Sequence, residues 1–179
     1  MDGALCLRSL ATAKDAVSGN PFSVTDPRRD LAGRIYEGVN DIRANGRLHG
    51  LPTVMVTGRN DGILPPNFAS RAYYGLNKSL EPRSPTYYYE ITNAHHLDTL
   101  NQFVAYGSLF IPLHRYYIQA LDLMYDHLKN HTPLPPSQVV HTTPRGSSDI
   151  TLANVPPILQ TPAAADVITF TPGKLHIPD

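Results

Sequence analysis

Apolar side chains recur at intervals of three and four residues in three separate segments of this chain. The first segment opens with Asp26-Pro27, a pair suited to the N-cap and first turn of a helix, and it closes at Gly46. Its apolar stripe consists of Leu31, Ile35, Val39 and Ile42. This pattern predicts one amphipathic helix with a start signal and a stop signal.

The same spacing predicts two further helices downstream. A weaker pattern follows Pro65-Pro66, with apolar positions at Phe68, Ala72, Leu76 and Leu80. A stronger one runs from Pro112 to about Asn130, and its stripe comprises Leu113, Tyr117, Leu121, Met124 and Leu128. A stripe of this kind normally faces the core, so these side chains are expected to be buried.

Two short apolar runs lie between the predicted helices. Residues 52–58 are apolar and β-branched, which is typical of a strand buried on both faces, and residues 86–92 form the second run. The resulting order is helix, strand, helix, strand, helix. Such alternation predicts a layered α/β fold with right-handed crossovers.

Beyond Thr132 the composition changes, because prolines become frequent and helical periodicity stops. We therefore divide the chain into residues 1–131 and a Pro-rich tail, residues 132–179, that is expected to wrap a surface instead of forming a core. The end of this tail, residues 167–177, alternates apolar and polar residues around Pro172-Gly173. That pair suits a type II turn and predicts a small terminal β-hairpin.

Composition narrows the class of protein. The 179 residues carry 15 basic and 15 acidic side chains, so no excess charge points to nucleic acid or to an anionic membrane surface. The apolar runs are much shorter than the roughly 20 residues needed to cross a bilayer. Cys6 is the single cysteine, which excludes an internal disulfide and favours neither a reducing nor an oxidising compartment.

Side chains that could take part in catalysis follow each predicted strand. Asp61 comes shortly after the first strand, and His95 and His96 come shortly after the second. The carboxyl ends of parallel strands lie at one edge of a sheet, so Asp61 and a histidine are expected to be neighbours. An acid and then a histidine match the last two members of the order Ser, Asp, His in α/β-hydrolases, where the carboxylate orients the imidazole that takes the serine proton.

Structural interpretations compete with this chemistry. Asp61 alone would more often be a turn residue, and adjacent histidines point to opposite sides, so at most one of the pair enters a site.

His127 and His131 are spaced for a shared metal ion, but no third ligand is evident and no metal site is predicted. Tyrosine clusters at 87–89 and 116–117 could line an ester pocket, but aromatic residues at such positions are more often in the core. Ser70-Arg71 could meet a substrate carboxylate, although a solvated helix-face arginine is favoured.

Several specific strings resemble the C-terminal part of bacterial D-(-)-3-hydroxybutyrate oligomer hydrolases. They are DGALCLR (2–8), HGLP (49–52), TNAHH (92–96), PLH (112–114), LPPSQVV (134–140), TTPRG (142–146), ANVPPI (153–158) and IPD (177–179). The resemblance implies an α/β-hydrolase-like serine esterase that cleaves 3-hydroxybutyrate dimers and short oligomers during polyhydroxybutyrate degradation. It further implies an acyl-enzyme, no metal or organic cofactor, and a secreted enzyme, with a cytoplasmic one as the alternative.

The resemblance also implies roles for individual residues. Asp61 matches the family's Gly-Arg-x-Asp loop as the triad acid, and His96 matches the histidine of its Asn-Ala-x-His turn as the base. His95 occupies the variable position of that turn. No substrate-binding residue is assigned.

The nucleophile is missing from the pattern. The chain holds no Gly-x-Ser-x-Gly elbow, and Ser9, Ser18 and Ser23 lie in a segment typical of helix or loop. We therefore expect the C-terminal portion of a longer hydrolase, in which the remainder of the parent polypeptide supplies the serine, and an isolated chain that is inactive. The alternative is a non-catalytic α/β interaction module that lost the nucleophile and pairs an exposed strand edge with another chain.

Overall fold

A computed structural model describes residues 2–179. Its helices are α1 (Asp2–Thr12), α2 (Arg28–Ile42), α3 (Ser70–Leu80), α4 (Val104–Leu109) and α5 (His114–Asn130). Its strands are β1 (Thr53–Gly58), β2 (Thr86–Ile91), β3 (Gln138–Val140), β4 (Thr169–Thr171) and β5 (Lys174–His176). The chain separates into two compact units, Met1–Ala44 and Asn45–Asp179.

The first unit contains α1 and α2. Asp26 provides the capping that the Asp-Pro pair predicts, since its Oδ1 accepts a hydrogen bond from the Arg28 backbone N–H at 2.9 Å. The helix ends at Ile42, before Gly46. Its predicted apolar stripe is exposed, and the buried residue of α2 is Ala32 instead, so the expectation for this face is wrong.

The second unit is built on a parallel three-stranded sheet in the order β1-β2-β3. β1 and β2 are in register from Thr53 opposite Thr86 to Gly58 opposite Ile91, so both strands end at the same edge. Both predicted strands are present, and the parallel sheet with flanking helices confirms the α/β class. β1 pairs on one side only within the part of the chain that the structure describes.

The third strand comes from the segment that was expected to contribute no core. Val139 and Val140 of β3 are buried, and Val155 and Ile158 further along belong to the same hydrophobic cluster as β2 residues. The expectation that the tail contributes no core is wrong at these positions, because β3 pairs with the second edge of β2. The sequence did not reveal this strand, since three residues are too few to show an alternating pattern of apolar and polar positions. The division at residue 132 stays a prediction.

The helices of this unit bury different faces from those predicted. α5 buries Tyr116 and Ala120, whereas most of its predicted stripe is exposed, and α3 buries Tyr74 and Asn77. Each buried tyrosine has a partner for its hydroxyl group. Tyr116 donates to the Pro156 carbonyl at 2.8 Å, and the Tyr74 hydroxyl lies 2.9 Å from Ser137 Oγ. Burial of these rings therefore leaves no hydroxyl unsatisfied.

The terminal hairpin is confirmed. β4 and β5 pair antiparallel on either side of Pro172-Gly173, and Gly173 has a φ of +81°, as the third position of a type II turn requires. Leu175 and Ile177 pack against the cluster formed by Tyr74, Tyr88, Val139 and Ile168. The hairpin thus covers part of the sheet face on which α3 lies.

Candidate active site

The loops that follow β1 and β2 cross each other at the carboxyl edge of the sheet. The Arg59 N–H donates to the Ile91 carbonyl at 2.8 Å, and the Asn60 N–H donates to the Ala94 carbonyl at 2.9 Å. A Cβ atom on Gly58 would lie 2.5 Å from the Ala94 carbonyl oxygen, well inside contact distance. Only glycine permits this crossing, which brings the two loops together.

Asp61 is buried within the first of these loops. Its Oδ1 accepts hydrogen bonds from the backbone N–H groups of Ile63 (2.9 Å) and Leu64 (2.8 Å), and its Oδ2 lies 2.8 Å from Nδ1 of His96. Burial by itself raises the pKa of Asp61, but the hydrogen bonds from Leu64, His96 and Ile63 outweigh it and hold the pKa below its ordinary value. The carboxylate is therefore ionised near neutral pH.

His96 is oriented by that carboxylate. Because an ionised carboxylate can only accept, the neutral imidazole carries its proton on Nδ1 and leaves the Nε2 lone pair free. About a third of the side chain, 32%, is exposed. The ring can therefore take a proton from a group that approaches Nε2.

His95 is buried on the other side of the turn. Its Nε2 lies 2.8 Å from Oδ1 of Asn101, and its ring packs edge-on against Phe110 with centroids 4.7 Å apart. Of the two histidines, His96 contacts Asp61 and His95 contacts Asn101. The expected neighbourhood of Asp61 and a histidine is confirmed, while the catalytic roles of Asp61 and His96 stay a prediction.

Asn93 shapes the turn that carries both histidines. Its φ is +53°, in the left-handed region, which asparagine tolerates better than most residues. Its Nδ2 donates to the Thr142 carbonyl at 2.8 Å, and its own carbonyl accepts from the Ile111 N–H at 2.8 Å. Sequence reasoning missed this role, although an asparagine at the end of a strand was the available signal.

An open cleft of about 500 Å³ lies beside His96. Its lining residues are Val56, His96, Leu97, Asp98, Thr99, Leu113, His114 and Tyr117. The Asp98 carboxylate is already engaged, since it caps α5 by accepting from the Leu113 and His114 N–H groups at 2.7 Å each. The rest of the wall is largely apolar, which suits a ligand with aliphatic groups.

The other candidates lie elsewhere. The Arg71 guanidinium binds the buried carboxylate of Glu90, through Nε at 2.7 Å and Nη2 at 2.5 Å, while about a quarter of the Arg71 side chain, 24%, stays exposed. Glu90 was missed by sequence reasoning, although a carboxylate inside an aromatic strand was a signal. Tyr88, Tyr89 and Tyr116 are buried as expected.

The serines considered as nucleophiles belong to the first unit and bond locally. Ser9 Oγ accepts from the Ala16 N–H, Ser18 donates to Asp15, and Ser23 lies against Thr25. In residues 2–179, no serine, threonine or cysteine side chain is hydrogen-bonded to His96.

The described residues contain no group of three or more histidine, cysteine, aspartate or glutamate side chains that could hold a metal ion. His127 Nδ1 lies 2.8 Å from the Thr132 carbonyl. No described helix combines the length and apolar character that crossing a membrane requires.

Fold and site together define an α/β protein whose parallel sheet presents an Asp–His pair where its strands end. The 3HB-oligomer hydrolase family model matches residues 1–179, and the chain belongs to this family. It is 44% identical to a D-(-)-3-hydroxybutyrate oligomer hydrolase of Azoarcus sp. and 43% identical to one of Paracidovorax citrulli. Each alignment covers 100% of this chain and 25% of the relative, so the chain spans about a quarter of their length. No solved structure matches it.

Proposed function

We propose that this chain is part of a serine carboxylic-ester hydrolase that cleaves 3-hydroxybutyrate dimers and short oligomers to monomer in polyhydroxybutyrate degradation. The observation that carries the proposal is the 2.8 Å contact between Asp61 Oδ2 and His96 Nδ1 at the carboxyl edge of a parallel sheet. The printed names of the relatives support the substrate, since they are D-(-)-3-hydroxybutyrate oligomer hydrolases.

His96 is the general base in this proposal, and Asp61 orients it. Nε2 of His96 removes the proton of a serine hydroxyl as the serine oxygen attacks the ester carbonyl. The C–O bond to the leaving hydroxyl group then breaks, and the imidazolium returns the proton to that oxygen. Water repeats the sequence on the acyl-enzyme and releases the acid. Asp61 stays ionised throughout and stabilises the imidazolium, so the chemistry needs no cofactor.

The serine and the oxyanion-hole donors belong to the remainder of the parent polypeptide. The open edge of β1 and the half-buried side chains of Val54, Met55 and Val56 are consistent with another strand of the parent pairing there. Without that remainder the chain lacks a nucleophile beside His96. We therefore expect the isolated chain to show no ester hydrolysis above that of free imidazole.

The cleft beside His96 is the proposed site for the acyl or alkyl part of the substrate. Leu97, Leu113 and Tyr117 provide apolar walls next to the base. A 3-hydroxybutyrate unit has a methyl and a methylene group that such walls can cover, while its ester carbonyl must reach the nucleophile. The size of the oligomer accepted would depend on the parts of the parent that close this cleft.

A chimaeric enzyme tests the proposal. The region of the Azoarcus relative that this chain matches is replaced by this chain, and hydrolysis of the 3-hydroxybutyrate dimer is measured. We expect His96→Ala to abolish turnover, whereas His176→Ala, which removes an exposed histidine of β5, should leave it unchanged. Equal activity of the His96→Ala chimaera and its parent would refute the catalytic assignment.

The alternative is a non-catalytic interaction module. It is favoured by the exposed apolar side chains of α5, among them Tyr117, Leu121 and Leu128, which suit a protein interface. The same exposure fits a chain whose apolar faces are covered by the rest of a longer protein. The chimaera separates the two, because an interaction module would restore folding of the chimaera without restoring turnover.

A further inference from the structure

A carboxylate is buried in the middle of the sheet, away from the Asp–His pair. Glu90 lies on β2 with no exposed surface, and it is held by three side chains. Its Oε1 accepts from Arg59 Nε and Arg71 Nη2, both at 2.5 Å, and its Oε2 accepts from Arg71 Nε and the Tyr88 hydroxyl, both at 2.7 Å. Burial raises the pKa of Glu90, but the hydrogen bonds from Arg71, Tyr88 and Arg59 outweigh it, so the carboxylate is ionised.

Arg59 links this buried carboxylate to the loop that follows β1 and carries Asp61, residues 59–64, which we call the acid loop. It is the first residue after β1, and it stands two residues before Asp61. Thr57 is in register with Glu90, and alternate residues share a face, so the Arg59 side chain returns to the face on which Glu90 lies. Its Nη2 also donates to the Pro178 carbonyl at 2.6 Å, which holds the guanidinium from a second side.

We infer that Arg59, held by Glu90, is a positioning residue that sets the place of Asp61 and thereby the orientation of His96. The acid loop is short. The backbone N–H groups of Arg59, Asn60 and Asp61 each donate one hydrogen bond, and the Arg59 side chain adds its bonds to Glu90 and to the Pro178 carbonyl. A displaced Arg59 would therefore shift the Asp61 carboxylate relative to Nδ1 of His96. The catalytic consequence rests on the proposed function, whereas the geometric one does not.

Arg71 provides a matched control. It donates two hydrogen bonds to the same carboxylate, and its side chain is as exposed as that of Arg59, 24% against 23%. It lies on α3, however, outside the acid loop. Loss of either arginine weakens the anchoring of Glu90, but only loss of Arg59 removes the connection between Glu90 and the acid loop.

The tautomer of His96 reports directly on the contact between Asp61 and Nδ1 of His96, and it can be measured in this chain without the rest of the parent polypeptide. Long-range proton–nitrogen NMR correlations distinguish an imidazole protonated on Nδ1 from one protonated on Nε2, and free imidazole side chains favour the latter. We expect the unaltered chain to hold His96 in the Nδ1–H form. Arg59→Met should shift most of the population to the Nε2–H form, while Arg71→Met should keep the Nδ1–H form.

An unchanged tautomer in Arg59→Met, or an equal shift in both variants, would overturn the inference. Should Arg59→Met fail to fold, Arg59→Lys and Arg71→Lys replace the pair, since a lysine keeps the charge but cannot bond Glu90 and Pro178 together as Arg59 does. The expected result is then a mixed population for Arg59→Lys and the native tautomer for Arg71→Lys. Identical tautomer populations in the two lysine variants would again overturn it.

Failure of the inference and failure of the proposed function can be told apart. If the unaltered chain already holds His96 in the Nε2–H form, the Asp61–His96 pair of the proposed function fails. If the pair is intact and Arg59→Met does not disturb it, only the positioning role fails. In the chimaera, Arg59→Met should lower kcat roughly 10- to 100-fold with little change in KM, as a slightly misplaced catalytic group does.

Discussion

Nδ1 of His96 lies 2.8 Å from Oδ2 of Asp61, although the two residues are 35 positions apart in the chain. The contact forms because β1 and β2 are parallel and in register, so the loops after both strands leave the same edge. The Asp61 carboxylate is fixed by two backbone N–H groups before it reaches the ring.

Replacement of Asp61 by asparagine should reverse the tautomer of His96. The amide is nearly isosteric with the carboxylate, but it neither stabilises an imidazolium nor requires a proton on Nδ1. If the proposed roles hold, dimer hydrolysis by the chimaera should fall by about 10³- to 10⁴-fold in kcat, as it does for the same change in the triad of a serine protease. Asp98→Asn, which alters a carboxylate of the same cleft, is the control for a general effect of lost charge. A smaller loss in Asp61→Asn than in Asp98→Asn would contradict the role of Asp61.

Gly58→Ala should separate the two loops. The new methyl group would lie 2.5 Å from the Ala94 carbonyl oxygen and 2.6 Å from its carbon, so backbone must move. We expect a loss of about 1–3 kcal/mol in the free energy of unfolding, as for other overpacked sites, and loss of the Nδ1–H form of His96 by NMR. Gly62→Ala, four residues on and with nothing near its Cβ position, should leave the tautomer unchanged. A stable Gly58→Ala chain with an intact pair would contradict the proposed crossing.

Asn93 stabilises its turn in two ways, through a tolerated positive φ and through its side-chain hydrogen bonds, and substitutions can separate the two. Asn93→Gly keeps the left-handed backbone at low cost and loses the side-chain hydrogen bonds of Nδ2, of which the bond to the Thr142 carbonyl is the shortest. Asn93→Ala loses the same bonds and adds backbone strain, so it should be less stable than Asn93→Gly by about 1 kcal/mol. Urea unfolding of the two variants measures the difference. Equal stabilities would show that the positive φ carries no cost at this position.

Acid should weaken the second unit through its two buried carboxylates. The pKa values of Asp61 and Glu90 lie below their ordinary values of 3.8 and 4.5, so the unfolded chain binds more protons in acid than the native chain does. Their contribution to stability is therefore complete above the unfolded values and is lost as pH falls through the native ones. We expect the free energy of unfolding to drop between about pH 5 and pH 3.

Glu90→Gln tests the source of that dependence. The variant should be less stable than the unaltered chain near neutral pH by ~3–5 kcal/mol, since two arginines lose their buried partner. It should also lose less stability on acidification, because one of the carboxylates whose pKa is lowered in the native chain is gone. Urea titrations at several pH values provide both numbers. An equally steep acid dependence in the variant would exclude Glu90 as a contributor.

Tyr117 should affect substrate binding more than chemistry. It lines the cleft beside His96, whereas Tyr125 is an exposed tyrosine on the same helix that does not line it. We expect Tyr117→Ala to raise KM of the chimaera for the dimer several-fold with little change in kcat, because apolar contact area is lost equally in ground and transition states. Tyr125→Ala is the matched control. Equal kinetic effects of the two substitutions would remove Tyr117 from the proposed substrate site.

Much of this architecture was predictable from local patterns. The strands after Pro52 and before Asn93 were evident because β-branched and aromatic runs of that length suit a buried parallel sheet. The terminal turn was evident because Pro172-Gly173 combines a fixed φ with a residue that tolerates a positive one. Asp61 and the pair His95-His96 were identified because they follow strands, and the family resemblance selected His96 from the pair.

The buried faces of the helices were not predictable in the same way. Periodicity shows where apolar side chains cluster, but it does not show which cluster meets the sheet. Tyr116 was expected in the core but lay outside the predicted stripe of α5. It packs in the hydrophobic cluster that contains Tyr89 and Ile91, where its hydroxyl group donates to the Pro156 carbonyl. Tyr117, beside it on the predicted stripe, is exposed. The choice depends on packing partners and hydrogen-bond partners contributed by distant segments.

The sequence by itself determined the local elements, the order of the acid and the histidine, and the family to which the chain belongs, because these depend on neighbouring residues and on their types. The tertiary structure was needed to show that His95 packs against Phe110, that β3 completes the sheet, and that Glu90 holds Arg59 before the acid loop. The physical reason is that these contacts join residues far apart in the chain. Their formation depends on strand register, on a glycine that lets two loops cross, and on the need of every buried charge for partners.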